Sequence, residues 1–354
     1  MSRFLSERHR GLTPYDTAGE HEKGYIKLNT NESPFPPSPL ALSRAAEAAR
    51  CLELYPDPDC RALAERAAGL LGLSPEELLF TNGSDEILNF VLMAFCDAGR
   101  PAVFPDITYS FYRVLAGVNG LPFREIPLAE DFSLRADDYI GLDAGALFIA
   151  NPNSPTGAAL PLPEVERIVQ GSPNSVVVID EAYVDFGAES CIPLIRKYDN
   201  LLVTRTFSKS RSLAGARLGF GVGCLELTRD LRAIKDSVSP YNVSAMTQAA
   251  GLGALEDEAY TQANCRAIIE NRDFTRAAMR ELGFEVRDSL TNFLLVRHPR
   301  MGGEALAREL RERGVLVRCF GAPRLVPYCR VTIGSREQMR ALLDALEEIS
   351  GESR

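Results

Sequence analysis

The sequence has 354 residues, of which 45% are hydrophobic and 25% are charged. These are the proportions of an ordinary globular protein, and a chain of this length is expected to form about two domains. The net charge of −9 argues against a general nucleic-acid binder, which needs a basic face. The sequence shows neither an apolar run of the roughly 18 residues that a membrane span needs nor the apolar core of a signal peptide. We therefore expect a soluble, cytoplasmic protein without nucleic-acid or membrane partners.

The eight cysteines are scattered along the chain without a C-x-x-C pair, so the spacing of a zinc site is absent. We expect buried free thiols in a reducing compartment. No metal is predicted.

The first 40 residues are polar and rich in proline, which indicates an extended arm. A regular pattern begins near residue 60 and predicts a helix at 61–71, a short strand at 77–80 and a second helix at 84–95. Apolar segments at 102–104, 146–150, 176–179, 201–204 and 218–222 then alternate with helical stretches. The segment VVVI at 176–179 is apolar on both faces, which is typical of a strand buried between two layers of helices. The pattern predicts an α/β fold with a mostly parallel sheet.

After residue 243 the pattern becomes that of a smaller α+β domain. A long helical stretch through Leu282 precedes a strand at 292–296, a helix at 303–314, strands at 315–318 and 330–333, and a final helix at 337–349. We divide the chain into an N-terminal arm that forms part of the small domain (1–45), a large domain (46–245) and a small C-terminal domain (246–354).

Lys209 follows the predicted strand at 201–204, in the segment TFSKSRSLAGARLG. A lysine amine can form an imine with an aldehyde in its neutral form, and a nearby cation together with partial burial lowers its pKa. Ser208 and Arg217 of the same segment are suited to holding a phosphate. Taken alone, the segment is more typical of a solvated loop.

Asp180 ends a buried strand in the segment VIDEAY, at the carboxyl edge where α/β sheets bind ligands. A carboxylate at this position can pair with a protonated pyridine nitrogen. The alternative, an aspartate of a nucleotide-binding site, is discounted because the chain has no G-x-x-x-x-G-K-[ST] motif.

Two further motifs lie where strands end. The segment ANPNSPTG at 150–157 predicts a tight turn, which is either a plain turn or the carrier of an amide directed at a ligand. The segment FTNGSDE at 80–86 lies between a strand and a helix, where backbone N–H groups bind phosphate. Gly83 allows close approach and Ser84 adds a hydroxyl, and a plain N-cap at Ser84 or Asp85 is compatible with this role.

In this order, the motifs GSDE, NSPTG, DEAY, SK and ARLG resemble those of fold-type I, pyridoxal-5'-phosphate (PLP)-dependent aminotransferases of class I/II, over nearly the whole chain. The segments IKLNTNESPF at 26–35 and LYPDP at 54–58 are similar to those of the histidinol-phosphate aminotransferase family. The resemblance implies PLP as cofactor, a homodimer, and amino transfer between L-histidinol phosphate and 2-oxoglutarate in histidine biosynthesis.

Three other functions are compatible with parts of this pattern. Threonine-phosphate decarboxylases and aromatic amino-acid aminotransferases share much of the pattern, and the fold does not choose between the activities. A regulator without catalysis is disfavoured because Lys209 is present and the chain has no room for a DNA-binding domain.

The resemblance also implies roles for single residues. Lys209 forms the Schiff base with PLP and moves the substrate proton. Asp180 pairs with the ring nitrogen, Tyr183 hydrogen-bonds the phenolic oxygen and Tyr109 stacks on the ring. The cofactor phosphate is surrounded by residues of the segments at 80–86 and 206–219 and by one residue of the second subunit. These residues are Gly83, Ser84, Asp85, Ser208, Arg217 and the second subunit's Tyr55.

One departure concerns the turn at 150–157, because Ser154 stands where the family has Asn directly before Pro-Thr-Gly. Either the preceding Asn153 reaches the phenolic oxygen through a shifted turn, or Ser154 makes a weaker bond. We favour Asn153.

Arg330, in the segment YCRVT, matches the arginine that binds the acidic end of the substrate, although a surface arginine on a strand is the alternative. A guanidinium binds either a carboxylate or a phosphate with two hydrogen bonds, which suits an enzyme that alternates between glutamate and a phosphate ester. Arg318 is a second candidate for the phosphate. Tyr15 and Asn31 are candidates to line the substrate pocket.

Overall fold

The computed structural model describes residues 2–15 and 24–352, so parts of the predicted arm and C-terminal domain lie outside the described residues. The strands are, in chain order, Ile26–Lys27 (β1), Leu78–Asn82 (β2), Ala102–Pro105 (β3), Phe123–Ile126 (β4), Ala146–Ala150 (β5), Val176–Asp180 (β6), Leu201–Thr206 (β7), Leu218–Gly223 (β8), Glu285–Val286 (β9), Phe293–Arg297 (β10), Val315–Leu316 (β11), Arg318–Cys319 (β12) and Tyr328–Thr332 (β13). The α-helices are Pro39–Ala48 (α1), Arg61–Leu71 (α2), Ser84–Phe95 (α3), Phe111–Asn119 (α4), Leu162–Gly171 (α5), Leu225–Val238 (α6), Ala245–Glu256 (α7), Glu258–Glu281 (α8), Gly303–Glu312 (α9) and Arg336–Glu352 (α10).

A seven-stranded sheet with the order β2-β8-β7-β6-β5-β3-β4 forms the centre of the large domain. Strands β4, β3, β5, β6 and β7 run parallel, and β8 is antiparallel to both of its neighbours. Successive residues of the central strands alternate between two hydrophobic clusters, as Val176 and Val178 face one and Val177 and Ile179 the other. Helices α2, α5 and α7 cover one face, and α3, α4 and α6 cover the other. The predicted α/β architecture is confirmed.

The small domain is built on a four-stranded antiparallel sheet with the order β12-β13-β10-β9. Residues of α8, α9 and α10 pack against it in a third hydrophobic cluster. The predicted strand at 315–318 is divided, because β11 pairs in parallel with β1 of the arm whereas β12 pairs with β13. The arm is thereby attached to the small domain at its first strand.

Helix α1 was missed by the sequence analysis, which predicted an extended arm and regular structure only from residue 60. Proline is acceptable in the first turn of a helix, where its missing N–H has no intrahelical partner. Pro39 occupies that turn, and the side chain of Ser38 accepts a hydrogen bond from the Ala41 amide at 3.2 Å. The Ser-Pro pair therefore begins the helix.

The predicted long helical stretch through Leu282 consists of two helices, since Asp257 has non-helical angles (φ −100°, ψ 54°) and separates α7 from α8. Helices α1 and α7 pack together so closely that a Cβ at Gly253 would lie 2.7 Å from the Cα of Ala41. Both helices join the hydrophobic cluster of the large sheet, whereas the predicted bounds assigned α7 to the small domain. We propose that the small domain begins at α8.

No helix among the described residues is long and apolar enough to cross a membrane. All eight cysteines lie in the described part of the chain and are free thiols. Burial raises the pKa of Cys60 and Cys96 to about 12, so both remain protonated at neutral pH.

Candidate active site

A cavity of about 550 Å³ opens at the carboxyl edge of the large sheet. The loops that follow β2, β3, β5, β6 and β7 reach this edge, and because β8 runs the other way its first residues meet them there. The arm and the small domain complete the wall. Most of the predicted site residues line this cavity, namely Tyr15, Asn31, Ser84, Asp85, Tyr109, Asp180, Tyr183, Ser208, Lys209, Arg217, Arg318 and Arg330.

Asp180 is a buried carboxylate at the end of β6, with 5% of its surface exposed. Desolvation raises its pKa to about 6, although Tyr112, Thr204 and the Ala182 amide donate hydrogen bonds that favour the charged form. Asp85 also raises the pKa by repulsion. No ion pair to Asp180 is found within residues 2–15 and 24–352. The carboxylate is therefore suited to a cationic ligand group.

Lys209 lies three residues beyond the end of β7 and is partly buried. Its Nζ donates to the backbone carbonyl of Thr30 at 3.3 Å and lies 5.9 Å from the centre of the Tyr183 ring. The arm, β7 and the loop after β6 therefore meet at this amine. The alternative of a solvated loop does not describe this segment.

The Tyr183 hydroxyl accepts a hydrogen bond from Nδ2 of Asn31 at 2.9 Å, and both residues are buried. The other end of the Asn31 amide accepts from Thr332 at 3.0 Å, and its backbone carbonyl accepts from Asn292 at 3.0 Å. Asn31 was predicted to line the substrate pocket. It does line the cavity, but its side chain joins Tyr183 to β13 of the small domain.

The N-terminus of α3 forms one end of the cavity together with Arg217 and Ser208. Gly83 does not line the cavity, but it precedes this helix with φ at +77°, and a Cβ there would lie 2.6 Å from a guanidinium nitrogen of Arg217. A Cβ at Gly219 would likewise lie 2.4 Å from the Ser84 amide nitrogen. Two glycines thus let bare backbone and a guanidinium converge where an anion can bind.

Asp85 links two other predicted residues at the same end. One carboxylate oxygen accepts from the Tyr109 hydroxyl at 2.9 Å, and the other pairs with Arg217 at 3.0 Å. Burial, followed by the charge of Asp85, raises the pKa of Tyr109 well above its ordinary value, so the phenol stays protonated. Tyr109 and Arg217 are therefore held in one hydrogen-bonded unit.

Arg330 on β13 is a half-buried cation in the wall of the cavity. It donates to Ser154 Oγ at 3.2 Å and to the Asn29 carbonyl at 2.9 Å, whereas its Nε has no hydrogen-bond partner in the described part of the chain. Desolvation lowers its pKa, and no ion pair to it is found among the described residues. Its ring neighbours Phe293 and Phe320 lie 5.3 and 5.8 Å from the guanidinium carbon. An anion in the cavity would supply the missing charge.

Asn153, which the sequence analysis favoured over Ser154, and Ser154 have different surroundings. The Asn153 amide accepts from Thr108 at 2.7 Å and donates to Thr156 and to the Ile107 carbonyl at 3.0 Å each, so its side chain joins the turn to the loop after β3. Ser154 lines the cavity and Asn153 does not.

Tyr55 lies outside the cavity of its own chain, with 81% of its surface exposed. Its ring stacks on that of Tyr241, with the centroids 4.6 Å apart. The described chain therefore leaves this predicted cofactor residue free to reach another molecule.

Sequence reasoning missed several residues of the site. Thr30, Glu32 and Thr206 line the cavity, and Tyr112 lies behind Asp180. Thr30 and Glu32 lie within the segment IKLNTNESPF and Thr206 within TFSKSRSLAGARLG, so these motifs already contained them, whereas Tyr112 lies outside every quoted motif.

The family model described as aminotransferase class I and II matches residues 23–346. Histidinol-phosphate aminotransferase from Aromatoleum aromaticum is 47% identical over 355 residues, which cover 99% of both chains. Histidinol-phosphate aminotransferase 2 from Dechloromonas aromatica is 46% identical and covers 99% of this chain and 100% of its own.

A solved structure shares the fold. The crystal structure of histidinol-phosphate aminotransferase from Sinorhizobium meliloti in complex with pyridoxal-5'-phosphate has a TM-score of 0.89 at 24% identity, covering 100% of this chain and 99% of that one. The chain belongs to the aminotransferase class I and II family and, within it, to the histidinol-phosphate aminotransferases. The predicted fold-type I architecture is confirmed.

Proposed function

We propose that this protein is a PLP-dependent aminotransferase that transfers the amino group between L-histidinol phosphate and 2-oxoglutarate, an activity of histidine biosynthesis. The observation that carries the proposal is the presence of Lys209 and Asp180 in one cavity, the latter buried without a cation among the described residues. The names of the relatives support the choice of substrates. The predicted cytoplasmic location remains a prediction.

The residues of the cavity fit each functional part of PLP. The helix N-terminus at Ser84, with Ser208 and Arg217, suits the phosphate, because N–H groups and a guanidinium bind oxyanions. Asp180 suits the protonated ring nitrogen, which would offset the desolvation of its carboxylate. Tyr183 suits the phenolic oxygen, and Tyr109, whose aromatic ring also lines the cavity, suits the ring of PLP.

PLP, when bound, supplies an aldehyde that captures an amine and a ring that withdraws electrons from the substrate carbon. Lys209 would be the group of the cavity that holds and moves a proton at that carbon, because an amine can both accept and donate a proton. The Thr30 carbonyl accepts a hydrogen bond from the Lys209 amine and holds it in the cavity. Asp180 would keep the ring nitrogen protonated, and we propose Ser154 rather than Asn153 as the polar neighbour from the turn after β5.

Arg330 is proposed to bind the acidic end of both substrates. A guanidinium can bind either the carboxylate of glutamate or the phosphate of histidinol phosphate in the same place, because it donates two hydrogen bonds to either anion. The unpartnered Nε and the lowered pKa show an arginine whose charge is not neutralised by the described residues. Arg318 lines the same cavity and is proposed as a second contact to the phosphate. Tyr15 is proposed to bound the substrate pocket on the arm side.

We also propose that the active form is a homodimer in which Tyr55 reaches the phosphate site of the partner subunit. Tyr55 and Tyr241 stack on each other at the surface, and Leu52, Leu54 and Met246, which are near them in the sequence, are also exposed. Exposed large apolar side chains of this kind favour a protein partner. A second copy that covers them would also complete the cofactor site.

The substrate proposal is tested by following labelled nitrogen. Purified, PLP-loaded protein is mixed with 2-oxoglutarate and L-histidinol phosphate that carries an isotopic label on its amino nitrogen, and glutamate is analysed by mass spectrometry. Labelled glutamate is the expected product. If no labelled glutamate forms, and the protein releases carbon dioxide from threonine phosphate in a separate assay, the decarboxylase activity would be supported instead. Faster amino transfer from aromatic amino acids than from L-histidinol phosphate would support an aromatic amino-acid aminotransferase.

Two lysine variants control the assay. Lys209→Arg keeps the positive charge but cannot form an imine, so it is expected to abolish transfer. Lys197→Arg changes an exposed lysine that pairs with Glu166 on the surface, and it is expected to leave the rate unchanged. Full activity of Lys209→Arg would contradict the proposed chemistry.

The dimer is tested by mixing two inactive variants. Tyr55→Ala retains Lys209, and Lys209→Ala retains Tyr55, so a mixed dimer contains one complete site if Tyr55 acts across the interface. We expect activity to return when the two proteins are unfolded together and refolded. A mixture that stays inactive although mixed dimers form would contradict the role of Tyr55 in the partner's site.

A further inference from the structure

Tyr112, in the first turn of α4, is fixed behind the cavity by aromatic packing. It is 1% exposed, and its ring centre lies 5.4 Å from Phe148, 5.9 Å from Phe104 and 5.6 Å from Tyr109. Tyr112 does not line the cavity. Its hydroxyl therefore has one fixed direction, which is set by three neighbouring rings.

That hydroxyl donates to Oδ2 of Asp180 at 2.9 Å. The other carboxylate oxygen, Oδ1, accepts from the Thr204 hydroxyl and the Ala182 amide, each at 3.2 Å. Tyr112 is thus the donor that fixes Oδ2 among the described residues, and an ionised carboxylate oxygen retains capacity for a further hydrogen bond.

The side chains that donate to Asp180 are the uncharged hydroxyls of Tyr112 and Thr204, so they leave the charge of its carboxylate in place. A lysine or arginine at the same place would pair with Asp180 and neutralise the charge that a cationic ligand needs. A phenol and an alcohol favour the ionised carboxylate and orient it, yet they leave its charge uncompensated. Burial of Tyr112 together with the charge of Asp180 keeps the phenol protonated, so it remains a donor.

We propose that Tyr112 is a positioning residue that acts through Asp180, holding Oδ2 in place so that the carboxylate pairs with the protonated ring nitrogen of the cofactor. This inference rests on the proposed binding of PLP. It assigns to Tyr112 a part in cofactor affinity although the tyrosine does not face the cavity.

The test compares two ligands and two variants. PLP-free protein is titrated, by the change in intrinsic fluorescence, with PLP and with a carbocyclic analogue in which C–H replaces the ring nitrogen. Tyr112→Phe removes the hydroxyl that bonds Asp180. Tyr139→Phe is the matched control, because Tyr139 is 1% exposed and its hydroxyl has no partner among the described residues.

For Tyr112→Phe we expect PLP to bind roughly ten- to a hundred-fold more weakly, the loss expected for a hydrogen bond to a charged group. The analogue, which offers Asp180 no ring N–H, is expected to bind this variant as it binds the wild type. Thr204→Val, which removes a donor to Oδ1, is expected to show the same selectivity with a smaller loss. Tyr139→Phe is expected to bind both ligands unchanged.

Equal weakening of PLP and the analogue in Tyr112→Phe would show a purely structural role and overturn the inference. Unchanged PLP affinity would overturn it as well, as would a Tyr112→Phe protein that fails to fold while Tyr139→Phe folds. Failure of the wild type to bind PLP would instead refute the proposed function. The two failures are therefore distinguishable.

Discussion

Replacement of Asp180 by asparagine is expected to stabilise the PLP-free protein at neutral pH. Burial raises the pKa of this carboxyl from its ordinary 3.8 to about 6. At 1.36 kcal/mol per pKa unit, keeping the group ionised in the folded state costs roughly 3 kcal/mol. Asparagine has the same shape, and its amide oxygen can keep the hydrogen bonds from Thr204 and Ala182. Its NH2 group can donate to the Tyr112 oxygen, so the variant avoids the cost of ionisation, although the Tyr112 O–H loses its acceptor.

The pH dependence of the stability difference between Asp180→Asn and the wild type shows whether ionisation of Asp180 causes it. The folded pKa lies above the unfolded one, so the wild type loses stability as pH rises through about 6 and regains it as pH falls toward 3.8. The advantage of Asp180→Asn should therefore be full at pH 8 and shrink below pH 6. Thermal denaturation of PLP-free wild type and variant between pH 5 and pH 8 measures it. An advantage that does not change with pH, or a variant less stable than the wild type at pH 8, would refute this reasoning.

Three further substitutions test other parts of the structure. Gly83→Ala places a methyl group 2.6 Å from the Arg217 guanidinium, so PLP affinity measured by fluorescence titration should fall. Arg330→Lys loses two-point recognition of the substrate anion, so steady-state kinetics should show a higher KM for both substrates at unchanged PLP affinity. Glu181→Ala removes the 2.8 Å partner of Arg205, which keeps its ion pair with Asp185, and it orphans the buried Cys191 amide, so chemical denaturation should show a loss of about 2 kcal/mol. An unchanged PLP affinity in Gly83→Ala, an unchanged KM in Arg330→Lys, or an unchanged free energy of unfolding in Glu181→Ala would contradict the corresponding argument.

The sequence predicted the central strands well, because runs such as 176–179 and 201–204 are apolar on both faces and leave few alternatives to a buried strand. The sequence did not predict the places where one or two residues begin or interrupt a helix. Ser38 and Pro39 begin a helix in a segment whose other prolines suggested an arm. Asp257 interrupts a helical pattern whose periodicity continues on both sides.

The sequence predicted those residues of the candidate site that lie within recognisable motifs, and it did not predict contacts made by residues outside them. Lys209, Asp180 and Arg217 are carried by short segments that could be read directly. Thr30 contributes a backbone carbonyl, which no side-chain pattern can reveal. The proposal of Ser154 rather than Asn153 rests on the Asn153 contacts to Thr108 and Ile107, which lie more than 40 residues earlier and which no local pattern reveals.

The arm supplies its contacts to the site largely through main-chain oxygens. The carbonyls of Asn29, Thr30 and Asn31 accept hydrogen bonds from Arg330, Lys209 and Asn292, respectively. A peptide carbonyl is present whatever residue occupies the position, so mutation at 29 or 30 can alter the pocket lining while the attachment to Lys209 and Arg330 persists. Such an arm allows substrate preference to diverge during evolution without disturbing the groups that carry the shared chemistry.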